Sequence, residues 1–271
     1  MAHDAETEKP PEGSAEEAAL RYLTTCDLEE KQTPLPRDLP WSGWRPPAAE
    51  LRPGRPSALR VVHKAPKGPS AGALRRPEAR AQLVHTFWHH ELQAAELFCW
   101  AALRFPDAPE DFRRGLLGLC RDEIRHMGLY RDYLSEHGVA IGDHPVRDWF
   151  WERIPRCATP RAFVATLGIG FEGGNLDHTR RFAQIFREHG DEAGAELQEK
   201  VGREEVAHVR FAWRWFHALG DEGGFEAWAA ALPAPLSPIL MRGRPLHRPA
   251  RRRAGLDEAF LDQLDGYVGQ A

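Results

Sequence analysis

Cysteine is scarce in this 271-residue chain, and none of the four present, Cys26, Cys99, Cys120 and Cys157, stands in a C-x-x-C pair. The opening, MAHDAETEKP, is hydrophilic, so no apolar secretory segment is visible there. Together these features read as a reduced, cytoplasmic protein. Uninterrupted apolar runs are also missing: a spanning helix needs about 18 such residues, which excludes a membrane role. Neither sign of charge dominates, and a formal net charge of −4 gives no general reason to expect a polyanionic partner. Hydrophobic residues, by contrast, make up 42% of the chain, enough for a real core.

Proline is unevenly spread. It crowds residues 1–77, in runs such as PLPRDLPWSGWRPP, where the one helical signal is SAEEAALRYL with Ser14 and Glu17 spaced for a capping box. Trp41, Trp44 and Leu51 are more apolar than a free linker needs, so this arm is expected to wrap the following domain. Four long periodic segments come next, near residues 78–104, 109–137, 160–188 and 192–219. Pro106 and Pro109 mark the first joint and Gly190 the third, while a longer crossover, HPVRDWFWERIPRCATP, lies between the pairs. Two short joints and one long crossover suit an all-α, ferritin-like four-helix bundle over residues 78–220. Residues 221–271 form a basic, proline-rich tail with a short helix near LDEAFLDQLDGY.

Two tetrapeptides carry the chemistry: EIRH, Glu123 to His126, and EVAH, Glu205 to His208. Positions i and i+3 share one helix face, so each aims a carboxylate and an imidazole the same way. A solitary carboxylate precedes each, Glu91 by 32 residues and Glu172 by 33. Folding each hairpin at its joint brings all six to mid-height. Glu96 is the rival to Glu91, but five residues turn it by about 140° and raise it by about 7 Å, which leaves it a supporting role behind the ligands. These groups interrupt apolar stripes, where an unpaired carboxylate costs several kcal/mol. Two divalent cations would neutralise the four carboxylates, and mixed oxygen and nitrogen donors suit iron, with manganese as the alternative.

That order, Glu, Glu-x-x-His, Glu, Glu-x-x-His, resembles the ligand set of the ferritin-like di-iron carboxylate proteins. Through HHELQAAEL, RFPDAPEDFRRGL, DEIRHMGLY, FEGGNLD, EEVAHVR and ARRRAGLDEAFL, the chain resembles more closely the bacterial ferritin-like family classed as domain of unknown function 455. A more distant likeness is to the tRNA isopentenyladenosine hydroxylase. The resemblance implies metal ligation by Glu91, Glu123, His126, Glu172, Glu205 and His208, with two irons, and makes an oxygenase the leading expectation.

The expected function is therefore a non-haem di-iron oxidoreductase that activates dioxygen and hydroxylates or desaturates an organic substrate, a small molecule or a modified nucleoside. It would draw on an electron-donor protein and form a homodimer. The alternatives are a ferroxidase or iron-handling protein, a manganese catalase-like enzyme, and a non-enzymatic interaction scaffold. Around the site, Asn175, Asp177 and His178 are candidates for orienting the ligand imidazoles. Tyr130, four residues after His126, resembles in its spacing the radical tyrosine of the ribonucleotide reductase small subunit; its ordinary role is core packing. His85, His89 and His90 offer a further ligand or contacts with the arm. Gly168, Gly170, Gly173 and Gly174 crowd Glu172, which calls for either a widened helical turn or tight packing. Arg242, Arg244, Arg248, Arg251, Arg252 and Arg253 form the run that would follow an RNA backbone, or else pair with acidic helices.

Overall fold

In a computed structural model of the chain, residues 9–46, 51–64 and 68–269 are described. The hydrophilic first eight residues lie outside them. Among the described residues the protein is all-helical, and the one β pairing is an isolated parallel bridge between Val61 and Val146. The first elements are α1 (Ala15–Thr24) and α2 (Leu28–Lys31). Ser14 caps α1 by accepting the Glu17 N–H at 3.1 Å, but the Glu17 carboxylate reaches the Gly13 N–H, one residue short of the reciprocal bond that the capping box predicts.

Four long helical stretches follow. Helix α3 (Pro77–Arg104) packs along α4 (Glu110–Glu136). The third stretch is continuous but not uniform: α5 (Pro160–Phe163) runs into a π-helix (Val164–Glu172) and then into α6 (Gly173–Glu188). Helix α6 packs along α7 (Glu192–Ala218), which also meets α4 and the π-helix. Where the third and fourth stretches join, Gly190 takes φ +75°, a left-handed conformation that glycine adopts without steric cost. Asp191 then caps α7 through the Gly194 N–H and accepts from Arg80 Nε of α3 at 2.6 Å and from the Tyr133 hydroxyl of α4 at 2.7 Å. One buried carboxylate thereby fastens the two helix pairs together.

The π-helix explains the glycines. A Cβ on Gly168 would lie 2.2 Å from the Ala212 Cβ, so α7 can approach this closely only against a bare backbone. Tight packing and a widened turn occur together, at the segment that ends in Glu172.

Among the described residues the remaining α-helices are α8 (Gly224–Ala230), α9 (Arg248–Arg253) and α10 (Glu258–Gly266). Two buried ion pairs fix the flanking segments. Lys31 Nζ lies 2.8 Å from Glu96 on α3, and Arg251 spans both oxygens of Asp177 on α6. Among the described residues no helix is long and apolar enough to cross a membrane.

Candidate metal centre

The six carboxylates and imidazoles picked out by the repeat all become buried, and they meet where α3, α4, α7 and the end of the π-helix converge. Two groups form. Glu91, Glu123, His126 and Glu205 each offer an atom within 4.8 Å of the others, and so do Glu123, Glu172, Glu205 and His208. Glu123 and Glu205 belong to both groups. His208 Nδ1 lies 2.9 Å from Glu123 and 3.1 Å from Glu205, and His126 Nδ1 lies 3.3 Å from Glu123, 3.6 Å from Glu205 and 3.9 Å from Glu91. Both imidazoles thus turn Nδ1 inward.

Their outer nitrogens meet two acids that the motif reading did not pick out. His126 Nε2 lies 2.9 Å from Glu204 on α7, and His208 Nε2 lies 3.5 Å from Asp122 on α4. Each helix that supplies one imidazole also supplies the acid that holds the other. An N–H at Nε2 directed to a carboxylate leaves the Nδ1 lone pair free for a cation, the tautomer a metal ligand needs. Arg125 joins this brace, pairing with both Glu204 and Asp122. A signal existed in the sequence: both Glu-x-x-His tetrapeptides are immediately preceded by an acid.

Without counter-charge, the cluster is electrostatically crowded. Burial, reinforced by Glu123, pushes the Glu91 carboxyl well above its usual range, and burial with Glu205 does the same to Glu172. Burial alone would raise Glu123 as well, but His208 and the hydrogen bonds from Glu91 and His126 outweigh it and hold that carboxyl low. For His126 and His208 burial opposes protonation, yet the surrounding carboxylates win and raise both. Geometry points to the same need for positive charge: Glu123 Oε1, Glu205 Oε2 and His208 Nδ1 are buried with no hydrogen-bond partner among the described residues, a costly arrangement for polar atoms that already face one another. A metal ion would satisfy all three, so the donor set fits one.

Other sequence candidates lie elsewhere. Asn175 donates to Glu205 at 3.3 Å and so touches the cluster directly. Asp177 does not reach an imidazole of the cluster; it is taken by Arg251 and by the Gly243 and His247 N–H groups. His178 packs against Phe182. Glu96 is likewise occupied, by Lys31, Arg55 and the Trp151 indole, because its rotation from Glu91 points it at the N-terminal segment and the crossover. Tyr130 is buried, and burial together with Glu91 and Glu205 raises its phenol. His85 accepts the Gly142 N–H, His89 pairs with Asp148, and His90 stacks on Phe150; none joins the two groups. Of the basic run, Arg242 binds backbone carbonyls of residues 264, 265 and 267, Arg248 and Arg252 pair with acids of α10, and Arg251 is buried on Asp177.

Comparison with known proteins agrees with the extent of this architecture. The family described as "Protein of unknown function (DUF455)" matches residues 14–262. An uncharacterised protein of Haemophilus influenzae is 28% identical over 210 residues, spanning 74% of this chain and 73% of the relative. No solved structure matches the chain.

Proposed function

The chain belongs to the DUF455 family, and we propose that it is a non-haem di-iron oxidoreductase, built on a ferritin-like four-helix bundle, that uses dioxygen to hydroxylate or desaturate an organic substrate. The observation that carries this reading is the pair of four-residue donor groups sharing Glu123 and Glu205. Glu91 and His126 would complete one ion's protein ligands, and Glu172 and His208 the other's. Iron is preferred on the mixed carboxylate and imidazole donors; manganese satisfies the same chemistry. When bound, the two metals would supply the redox capacity for dioxygen activation.

The chain's own residues set the conditions for that chemistry. Asp122 and Glu204 fix the imidazoles from opposite helices, so both Nδ1 atoms face the centre without reorganisation. Asn175 donates to Glu205 at 3.3 Å and so orients one of the two shared carboxylates. Leu119, Cys120, Met127, Val209 and Ala212, on the same helices, are buried apolar neighbours in the core. A small organic substrate and an electron-donor protein are the partners this chemistry requires.

Elemental analysis of protein purified from iron- and manganese-supplemented cells tests the reading. About two irons per chain are expected, lost in a folded Glu123→Ala, His126→Ala variant. Metal-free, well-folded wild-type protein that also refuses ferrous iron anaerobically would overturn it.

A further inference from the structure

Away from the metal centre, α6, α7 and the segment around α9 enclose a groove of about 480 Å³, within the range of small-ligand sites. Four arginines line it, Arg180, Arg187, Arg203 and Arg253, against two glutamates. The glutamates are already engaged: Glu199 with Arg187, and Glu188 with the Gln184 amide. Arg187 is further bound by Glu192. Arg180, Arg203 and Arg253 therefore bring three exposed guanidiniums to one groove, and among the described residues no carboxylate pairs with them. Their field reaches His247 on the groove wall, whose imidazole is held low by burial and then by Arg180 and Arg253.

The backbone around the groove is tied down by neighbouring contacts. The buried Asp177–Arg251 pair clamps α9 to α6, and Arg210 on α7 donates twice to the Arg253 carbonyl, at 2.6 and 3.2 Å. These contacts hold the backbone of Arg253 in place while its side chain stays unpaired. Three guanidiniums carried on three separate helices, α6, α7 and α9, face one groove and suit an anion with several acceptor oxygens. We propose that this groove binds a phosphate-bearing small ligand, with Arg180, Arg203 and Arg253 as its charged contacts. The site is independent of metal occupancy and stands apart from the oxidoreductase reading.

Calorimetric titration of the full chain with inorganic pyrophosphate at low ionic strength tests it. One site per chain is expected. Arg180→Ala and Arg253→Ala should each weaken binding about tenfold, the loss of one charge-assisted contact. Arg37→Ala, an exposed arginine of the N-terminal segment, should not, and an unchanged circular dichroism spectrum confirms the variants' fold. No binding at millimolar pyrophosphate, or equal affinity in all variants, overturns the proposal. So does binding of a short oligoribonucleotide that pyrophosphate fails to displace, which would assign the groove to an extended nucleic-acid backbone instead.

Discussion

His126 Nε2 lies 2.9 Å from Glu204 Oε2, an acid contributed by the helix that carries the other histidine of the centre. The bond holds Glu204 strongly ionised, its carboxyl lowered to about 2 by His126 and then by Arg125. Glu204 itself lies outside both donor groups, so its effect on a metal must pass through the imidazole.

Replacing Glu204 with Gln should therefore weaken metal binding by about 10- to 100-fold, the usual effect of losing an acid behind a ligand histidine. Stoichiometry at saturation should stay unchanged. Titration with ferrous iron under anaerobic conditions measures both. An affinity equal to wild type would show that Glu204 serves only the surface pair with Arg125.

Metal binding should strengthen as pH rises and should release protons. Glu91, Glu172, His126 and His208 all have raised proton affinity in the metal-free cluster, the carboxyls through burial first and the imidazoles through their carboxylate neighbours against burial. A cation must displace those protons, and raising the pH removes its competitor, so the logarithm of the affinity rises by about one per pH unit for each proton released. Calorimetry in two buffers of different ionisation enthalpy counts them. Binding without proton release would mean that the cluster is already deprotonated.

Much of this centre was legible in the chain because helical spacing is short-range. Glu123 and His126, like Glu205 and His208, lie one turn apart wherever the helix goes, and the Pro109 and Gly190 boundaries set the height at which the hairpins meet. The expected segments 109–137 and 192–219 appear as Glu110–Glu136 and Glu192–Ala218. What stayed hidden depends on distant contacts. The glycines around Glu172 announced an irregularity in the expected helix over 160–188, but not its π-helical form nor the close approach of Ala212 to Gly168, 44 positions apart. Sequence position offers Asp177 as a partner for a histidine of the cluster, but Arg251, 74 residues later, occupies it. Glu96 fails as a partner of the centre for the same reason: its cations, Lys31 and Arg55, come from a segment without helical periodicity to announce where it packs.

That pairing makes Glu96 a test of structural against metal-binding carboxylates. Glu96→Ala leaves the fully buried Lys31 ammonium without its counter-ion and should cost about 3–5 kcal/mol of stability. Metal stoichiometry in the folded fraction should remain that of wild type. Removing both charges, Lys31→Met with Glu96→Leu, should recover much of the loss, since the penalty lies in the unpaired ion. Chemical denaturation with parallel metal analysis reads both; loss of metal at retained fold would return Glu96 to the centre.

Acid should loosen the junction between α3 and the segment after α4 before it affects the carboxylate pairs. His85 is fully buried and accepts the Gly142 N–H at 2.9 Å through Nε2, with His144 edge-on at 5.3 Å. Burial, then His144 and His89, lower its imidazole to about 4, while Asp143 opposes them. Because the folded value lies below the unfolded one, near 6.5, the unfolded chain binds the extra proton between these limits. The contribution is therefore complete above about pH 6.5 and is lost as the pH falls toward 4, amounting to about 3 kcal/mol. Urea unfolding of the wild type should show this loss, and His85→Asn, which keeps a hydrogen-bond acceptor that does not titrate, should flatten it over the same interval. An unchanged slope in the variant would assign the acid sensitivity to another group.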